Sequence, residues 1–342
     1  MAIQTELTRA LGIKIPLVQG GMQWVGTAPM AAGVAAAGAL GILTALTQPS
    51  PDALRAEIRK TREMLKGTDG KFGVNITLLP SITPPDYAGY VKAAMDEGID
   101  IFETAGNNPG PIIKLIKTYV PAGQSSVPKR YVIHKCTAVR HALSAQKLGV
   151  DMLSIDGFEC AGHPGEDDIG GLVLMARAAE ELKIPFIASG GIANGRGLAA
   201  ALALGAAGAN MGTRFMCTKE SPIHQNIKQK IVDSNEKDTV HIFRSLKNTA
   251  RVFKNKVSVE VVRLERRPEG AKFEDLRDLV SGARGRTVYE DGDPDAGIWS
   301  AGVTVGLIHD IPSCKELCAT IERDAEQVIN GMQKLVTPKA KL

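Results

Sequence analysis

The 342-residue chain has few aromatic residues, only 4%, and it has neither a polybasic run nor aromatic residues interleaved with basic ones. Nucleic acids are bound through surfaces of that kind. The net charge of +4 is mild for this length. No stretch approaches the ~18 uninterrupted apolar residues of a membrane-spanning helix. Neither a nucleic acid nor a membrane is therefore expected as a partner.

Zinc motifs and an N-terminal sorting signal are also missing. The five cysteines show no zinc-type C-x-x-C spacing. The first 21 residues contain no basic region followed by an apolar one, as a secretory signal would. The expected location is therefore the cytoplasm. The chain ends in Ala-Lys-Leu, a variant of the Ser-Lys-Leu signal, so the peroxisomal matrix is the alternative if the source is eukaryotic.

The G-x-G-x-x-G turn that opens the doubly wound dinucleotide-binding fold is missing after the first strand. Instead, eight short apolar runs alternate with helical patterns at a spacing of ~25–30 residues. The predicted strands are 15–21, 40–46, 72–79, 100–106, 130–137, 151–159, 185–191 and 208–215. Eight β/α units in series predict an α/β protein with a closed (β/α)8 TIM barrel, rather than a doubly wound sheet.

The sequence pattern changes after Phe215. Residues 217–296 are more charged and read as mostly helical, with 263–275 as a loop. A final amphipathic pattern, 313–336, predicts one more helix. We therefore expect a barrel formed by 1–216 and 297–342, with 217–296 inserted after strand eight as a small, mostly helical cap.

Glycyl and polar residues collect at the predicted C-terminal strand ends, where barrels of this class form their active sites. After strands seven and eight, SGGIANG and MGTR place backbone N–H groups and a hydroxyl where they can converge on an anion. The residues concerned are Gly190, Gly191, Gly212 and Thr213. A helix beginning near Asn194 adds its positive N-terminal end. The sequence predicts a phosphate site here; the alternative is that these glycines only form tight turns.

Two ionisable residues near strand ends are candidates for chemistry. Lys135, in the apolar run YVIHKCT, either points into the barrel mouth as a cation for a negative ligand or forms a structural ion pair. His134 faces the opposite side and is expected to be a packing residue. His163, in the loop DGFECAGHPGEDD after strand six, is a candidate general base. The alternative is a loop histidine bonded to a carboxylate.

Other groups of the same loop suggest less. The acids of GEDD, residues 165–168, are expected to cap the following helix rather than to bind a metal with His163. Cys160 lies three residues before His163, but nothing in the sequence lowers the pKa of its thiol, so a catalytic Cys–His pair is not expected.

Long strings of the sequence resemble the nitronate monooxygenase (2-nitropropane dioxygenase) family of FMN-dependent barrels over nearly the whole length. These strings are QGGMQWVG, FGVNITLLP, ETAGNNPG, VIHKCT, SIDGFECAGHPGEDD, ASGGIANGRGLAAALALGAAGANMGTRF and GIWSAG. Three of the motifs are most similar to a subgroup described as NADH:quinone reductases: GGMQWVG, HKCTAVRHA and DGFECAGHPGEDD.

The resemblance implies a cofactor and a set of site residues. It implies that FMN is bound with its phosphate at Gly190, Gly191, Gly212 and Thr213. It implies that the flavin ring lies over Gly21, Met22 and Gln23, with Asn75, Thr77 and Lys135 near its polar edge. It also implies that His163 is the catalytic histidine beside the flavin.

The expected activity is oxidation of alkyl nitronates with O2, in which His163 binds the anion or takes a proton from a nitroalkane. The alternative is NAD(P)H:quinone reduction on the same barrel, with the nicotinamide cofactor under the cap and His163 as proton donor to the quinone. A lyase or isomerase acting on a phosphorylated substrate is the alternative from another class, and a non-catalytic flavin-binding protein is a fourth. The chain is expected to be a monomer or a homodimer.

Overall fold

The computed structural model describes residues 3–78 and 84–336. Eight parallel strands form a closed barrel in which each strand pairs with the next and the eighth pairs with the first. They are β1 (Leu17–Gln19), β2 (Leu40–Thr44), β3 (Lys71–Leu78), β4 (Ile101–Gly106), β5 (Tyr131–Cys136), β6 (Met152–Asp156), β7 (Phe186–Ser189) and β8 (Ala209–Met211). The predicted TIM barrel is confirmed.

Most strands are shorter than predicted because the glycyl and polar residues at their C-terminal ends belong to the following loops. The predicted end of the third strand, residue 79, lies outside the described residues, as does the C-terminal tripeptide.

Nine α-helices precede the inserted segment in the described part of the chain. They are α1 (Glu6–Leu11), α2 (Ala28–Ala36), α3 (Pro51–Met64), α4 (Tyr87–Asp96), α5 (Gly110–Thr118), α6 (Val139–Lys147), α7 (Gly171–Glu181), α8 (Gly195–Ala203) and the short α9 (Thr213–Met216). No helix among the described residues is both long and apolar enough to span a membrane.

The inward-facing side chains of the barrel change from apolar to polar along the strands. Ile101, Ile133, Met152 and Ile187 belong to one buried cluster with residues of α1, which closes the N-terminal end. Alternate residues of a strand share a face. Two positions further along the same strands, the same face therefore carries Glu103, Lys135, Ser154 and Ser189. The apolar layer forms the floor, and the C-terminal mouth above it is polar.

The segment 217–296 contains more than the predicted helices. It comprises α10 (Gln225–Val232), β9 (Thr239–Ile242), β10 (Ala250–Phe253), α11 (Lys256–Glu265), α12 (Phe273–Val280) and α13 (Gly282–Asp291). The antiparallel pair β9–β10 was not predicted. All four residues of β10 are buried, including Arg251, so the sequence lacks the alternation of a half-exposed strand. The predicted loop 263–275 was wrong at both ends, because α11 continues to Glu265 and α12 begins at Phe273.

This inserted segment is packed onto the barrel as well as onto itself. Phe253 stacks on Trp299 with ring centroids 4.3 Å apart, within a buried cluster that also contains Val25 and Met216. A separate small core forms around Ile242 and the helices after the hairpin. The last helix, α14 (Cys314–Gln333), returns to the outer ring and packs against α8 and α2.

Candidate active site

A buried carboxylate organises the centre of the polar mouth. Glu103 on β4 is fully buried, and its Oε1 accepts hydrogen bonds from the Gly21 N–H (2.9 Å) and from Nδ2 of Asn75 (2.8 Å). Its Oε2 accepts one from Nδ2 of Asn210 (3.2 Å). Thr77 donates to Oδ1 of Asn75 (2.8 Å). The network therefore brings Gly21, Asn75 and Thr77 together at the mouth of the barrel.

The sequence analysis missed Glu103 and Asn210. An acid inside the apolar run IFETAG is the same signal that singled out Lys135, and applied to β4 it identifies Glu103. Asn210 has no such signal, because an amide in the short strand GANMG resembles a loop residue.

Lys135 faces the mouth rather than the outer helices. Its ammonium makes no hydrogen bond or close ion pair with a described residue. Burial alone lowers the pKa of this group, but the carboxylates of Asp156 and Glu103 outweigh burial and raise it. Lys135 is thus a charged, half-buried cation with free donors at the strand ends.

The turn after β7 has the shape of an anion cradle. Gly190 and Gly191 have φ values of 81° and 77°, in the left-handed region. Their N–H groups have no hydrogen-bond acceptor among the described residues. A helix follows at once, since Asn194 caps α8 by accepting a hydrogen bond from the Gly197 N–H (3.0 Å). Free N–H groups in front of a capped helix fit a phosphate.

The loops after β1 and β8 meet beside this turn. A Cβ added to Gly212 would lie 3.5 Å from Sδ of Met22. The Met22 N–H donates to Oγ1 of Thr44 (2.8 Å), which fixes the β1 loop, and Gln23 is exposed. Oγ1 of Thr213 accepts a hydrogen bond from the Gly302 N–H (3.0 Å). The Thr213 hydroxyl therefore keeps its own proton for an acceptor in the mouth.

Replacing Gly190 by Ala is expected to remove bound flavin. A Cβ at Gly190 would lie 2.8 Å from the backbone N of Cys160, and φ is positive. Gly149→Ala is the matched control, because its φ is 84° but nothing lies within 4 Å of the added Cβ. Each substitution costs about 1–2 kcal/mol in backbone strain. Only Gly190→Ala should lower the flavin content of the purified protein. Equal flavin content in the two variants would contradict the prediction that this turn binds a phosphate.

His163 lies in a loop that is fixed at both sides. Gly162 and Arg251 of β10 exchange backbone hydrogen bonds of 3.1 and 2.6 Å, so the loop is bridged to the hairpin of the insert. Gly165 packs against Thr137, the residue after β5. The His163 ring makes no hydrogen bond to a described residue, and its side chain is exposed. Both ring nitrogens are therefore available to a ligand.

The pKa of His163 is lowered. The cause is partial desolvation by the protein atoms around the ring, which outweighs the opposite effect of the Glu166 carboxylate, although water still reaches the ring. The neutral imidazole is consequently the favoured form near pH 7.

The acids of GEDD do not cap the following helix, and this prediction was wrong. Glu166 accepts hydrogen bonds from the N–H (2.7 Å) and Oγ1 (2.5 Å) of Thr249, and Asp168 pairs with Arg244 (2.8 Å). These partners lie in the insert, some 80 residues away in sequence. The first turn of α7 is bonded instead by Glu159, which accepts from the Gly171 N–H (2.9 Å).

Arg251 is a further residue that the sequence analysis missed. Its buried guanidinium donates to the carbonyl of Phe158 (2.9 Å) and lies 4.5 Å from the centroid of the Phe158 ring. The His241 ring makes an edge contact with the same Phe158 ring, with a centroid distance of 5.1 Å. The insert thus contacts three parts of the loop that carries His163: the loop's backbone, its acidic side chains and Phe158.

Arg251→Met is expected to destabilise the fold and loosen this loop. It removes a charge-assisted hydrogen bond, which costs about 1.5–3 kcal/mol. Thermal unfolding and limited proteolysis between β6 and α7 measure the two effects. Arg263→Met, on an exposed helix face, is the control. If Arg251→Met left both the melting temperature and the proteolysis rate unchanged, the guanidinium would not be what holds the loop.

Two other residues of this region, His134 and Cys160, are buried. His134 is buried and its Nδ1 lies 2.8 Å from Oγ1 of Thr104, so it is a packing residue with a satisfied nitrogen; burial lowers its pKa to about 4. Cys160 is buried and its pKa is raised by burial, so the thiol stays protonated. Among the described residues, no group of three or more His, Cys, Asp and Glu side chains is arranged to hold a metal.

Comparison with known proteins agrees with this geometry. The sequence profile described as "Nitronate monooxygenase" matches residues 4–324. The chain is 31% identical to the (3aS,4S,5R,7aS)-5-hydroxy-7a-methyl-1-oxo-octahydro-1H-indene-4-carboxyl-CoA dehydrogenase of Mycobacterium tuberculosis, over 95% of this chain and 97% of that protein. It is 31% identical to a probable nitronate monooxygenase of Staphylococcus saprophyticus, over 70% of this chain and 76% of that protein.

Solved structures show the same fold. FabK from Thermotoga maritima superposes with a TM-score of 0.86 at 31% identity, covering 98% of this chain and all of that chain. Nitroalkane oxidase from Streptomyces ansochromogenes superposes with a TM-score of 0.76 over 95% of this chain and 99% of that chain; its 23% identity supports the fold alone. The profile match covers most of the chain, and the protein therefore belongs to the nitronate monooxygenase family of flavin-type oxidoreductases.

Proposed function

We propose that the protein binds FMN and oxidises alkyl nitronates and their parent nitroalkanes with O2, using His163 as the base. The observation that carries the proposal is the arrangement of the strand-end face. An unpaired cation, Lys135, lies at the same mouth as a His163 ring with both nitrogens free and a glycine turn with free N–H groups. Family membership favours an oxidoreductase over the lyase and isomerase alternatives.

The chain's own residues fit the phosphate and ring of FMN. The N–H groups of Gly190 and Gly191, the start of α8 and the hydroxyl of Thr213 would hold the phosphate. The loop of Gly21, Met22 and Gln23 would support the ring, with Asn75 and Thr77 at its polar edge. When bound, FMN supplies the electron transfer from substrate to O2. The protein's part is to bind, orient and deprotonate the substrate.

Lys135 supplies positive charge at the place where a negative ligand would lie. A nitronate is an anion, and so is a flavin ring that has taken up electrons. A preorganised ammonium in a site shielded from water stabilises such charge more than it would in bulk solvent. Its raised pKa keeps it charged throughout the neutral range.

His163 is suited to remove a proton from the carbon next to a nitro group. The lowered pKa keeps the imidazole neutral at pH 7, so its free nitrogen can accept a proton. A preformed nitronate has already lost this proton and needs no base.

The rate with a neutral nitroalkane is therefore expected to depend on pH through His163. It should rise as the pH increases through a value below the ordinary 6.5 of histidine and then stay level to pH 8. The pH profile of kcat/KM with nitroethane measures this. A rise in kcat/KM with its midpoint above pH 6.5 would contradict the proposal that His163 is the base, because the pKa of His163 is lowered.

NAD(P)H:quinone reduction is the second candidate. The observation that favours it is the sequence of two motifs, GGMQWVG and DGFECAGHPGEDD, which resemble those of the quinone reductase subgroup. The neutral state of His163 argues in the other direction, since a proton donor to a quinone works best when protonated.

Oxygen uptake separates the two activities. FMN-loaded protein is mixed with propyl nitronate in an oxygen electrode, and separately with NADH and a benzoquinone under anaerobic conditions. We expect uptake with the nitronate and little NADH oxidation. Rapid NADH oxidation without nitronate-dependent uptake would instead establish the quinone reductase.

A further inference from the structure

Residues with a left-handed backbone gather where the inserted segment meets the loop 157–170, which carries the candidate base. Only four non-glycine residues of the described chain have φ in this region, where a side chain crowds the backbone. Asp168 (φ 50°) lies in the loop, and Phe243 (63°) and Lys247 (51°) lie in the turn between β9 and β10. The fourth, Trp24 (67°), contacts the insert, because its ring lies 5.0 Å from a guanidinium of α13. Such strain persists only where the surrounding structure holds it, and it collects at clamps and switch segments.

Two buried N–H groups at the same place lack an acceptor. His241 and Arg251 lie opposite each other in the ladder of β9 and β10, and both contact the ring of Phe158. Burial lowers the pKa of His241 to about 4, so its ring is neutral near pH 7. Its Nδ1 accepts a hydrogen bond from Arg244 (2.6 Å), since a guanidinium can only donate, and the ring proton is therefore on Nε2. Neither this Nε2 nor Nε of Arg251 has a partner in the described part of the chain, and each costs free energy that it would recover in water.

The contacts that oppose this cost are polar and lie near the surface. Asp168 pairs with Arg244 (2.8 Å), and both side chains are nearly half-exposed. An ion pair of this kind stabilises a fold very little. Glu166 accepts hydrogen bonds from the backbone and the hydroxyl of Thr249. The small apolar core of the insert takes in no side chain of the loop, so only the ring of Phe158 adds an apolar surface to this interface.

The base of the hairpin is fixed more firmly than its turn. Phe253, the last residue of β10, stacks on Trp299 and donates its N–H to the carbonyl of that residue (2.8 Å). Both side chains belong to a buried cluster shared with the barrel. The loop, for its part, is tied to the start of α7 by Glu159, which bonds the Gly171 N–H. The turn and the loop can therefore separate while each stays attached at its base.

We propose that the loop 157–170 and the turn 243–249 form a releasable clasp. The clasp opens as one local event, at a free energy well below that of global unfolding. Opening exposes both unpaired donors to water and lets His163 move with the loop. The clasp goes beyond the proposed function, because it would release and reposition His163 beside any small ligand in the mouth.

Hydrogen–deuterium exchange resolved to single residues tests the clasp in the wild-type protein. Three backbone N–H groups donate across it, those of Gly162, Thr249 and Arg251. We expect these three reporters to share one protection factor, which low concentrations of urea leave unchanged. Val252, which pairs with Val240 inside the hairpin, should be more protected by at least about 10-fold. Equal protection of Val252 and the three reporters would overturn the proposal.

The His241→Phe variant tests why the clasp opens. Phenylalanine keeps the ring contact with Phe158 and removes the unpaired Nε2–H, while Arg244 keeps its pair with Asp168. The closed clasp then no longer carries the cost of that buried donor. Protection of the three reporters should therefore rise by about 5- to 100-fold, and that of Val252 should not change.

A second histidine gives the matched control. His141 is exposed on α6, and His141→Phe should leave all four protection factors at their wild-type values. Circular dichroism and thermal unfolding show whether each variant is folded, and the wild-type measurement needs no variant. Unchanged or lower protection of the reporters in folded His241→Phe would overturn the proposal, because the buried donor would then carry no cost.

Discussion

Asn in place of His163 is expected to lower kcat/KM for nitroethane by about 10²- to 10⁴-fold, the usual contribution of a general base. With preformed ethyl nitronate the loss should be smaller than 10-fold, because the proton is already gone. The side chain makes no hydrogen bond to a described residue, so the variant should fold normally. Steady-state oxygen uptake with the two substrates measures this difference.

The contrast between nitroalkane and nitronate is what identifies a base. His141→Asn is the matched control, since His141 is exposed on α6. An equal loss with both substrates would mean that His163 binds the anion rather than removing a proton. No loss with either substrate would remove His163 from the reaction altogether.

Replacement of Lys135 by Met is expected to lower kcat/KM for the nitronate by about 10²- to 10³-fold, comparable with the loss of one preorganised donor in other active sites. Met has a similar length and no charge, so shape is largely kept. The substitution also leaves Glu103 and Asp156 facing each other without a cation, which should weaken FMN binding. Oxygen uptake at saturating FMN and a flavin titration separate the two effects.

Lys129→Met, on the exposed segment before β5, is the control for loss of a lysine charge. If Lys135→Met unfolded at a lower temperature while turnover and flavin affinity stayed at wild-type levels, Lys135 would be a structural ion-pair residue. That was the alternative interpretation of an apolar strand containing one lysine.

The barrel could be predicted from the sequence because its signals are local. Each strand is a short apolar run, and each is followed by glycyl or polar residues where the loop begins. The same local signals singled out Lys135, with the mouth and a structural ion pair as its alternatives, and the glycine turn after strand seven. Glu103 carries the same signal, because it is a single acid in the apolar run IFETAG, but the sequence analysis did not single it out.

The environment of the His163 loop could not be predicted because its partners are remote in sequence. Glu166 bonds Thr249 and Asp168 pairs with Arg244, and both partners lie in the insert. From the sequence, acids just before a helical pattern look like capping residues. Here Glu159 takes part of that role, and the acids fasten the loop to the hairpin β9–β10 instead.

The sequence also could not predict that Oδ1 of Asp156 is buried without a hydrogen-bond partner among the described residues. Nothing in the string SIDGF says which oxygen of the aspartate has a hydrogen-bond donor. Only the packing of β6 against β7 shows that one oxygen is buried without a donor.

The most direct test of the proposed function is anaerobic mixing of the FMN-loaded protein with propyl nitronate, followed by flavin absorbance. We expect the flavin to bleach without any nicotinamide cofactor and to recover its colour when O2 is admitted. Unchanged absorbance with the nitronate, together with rapid bleaching by NADH, would contradict the proposal.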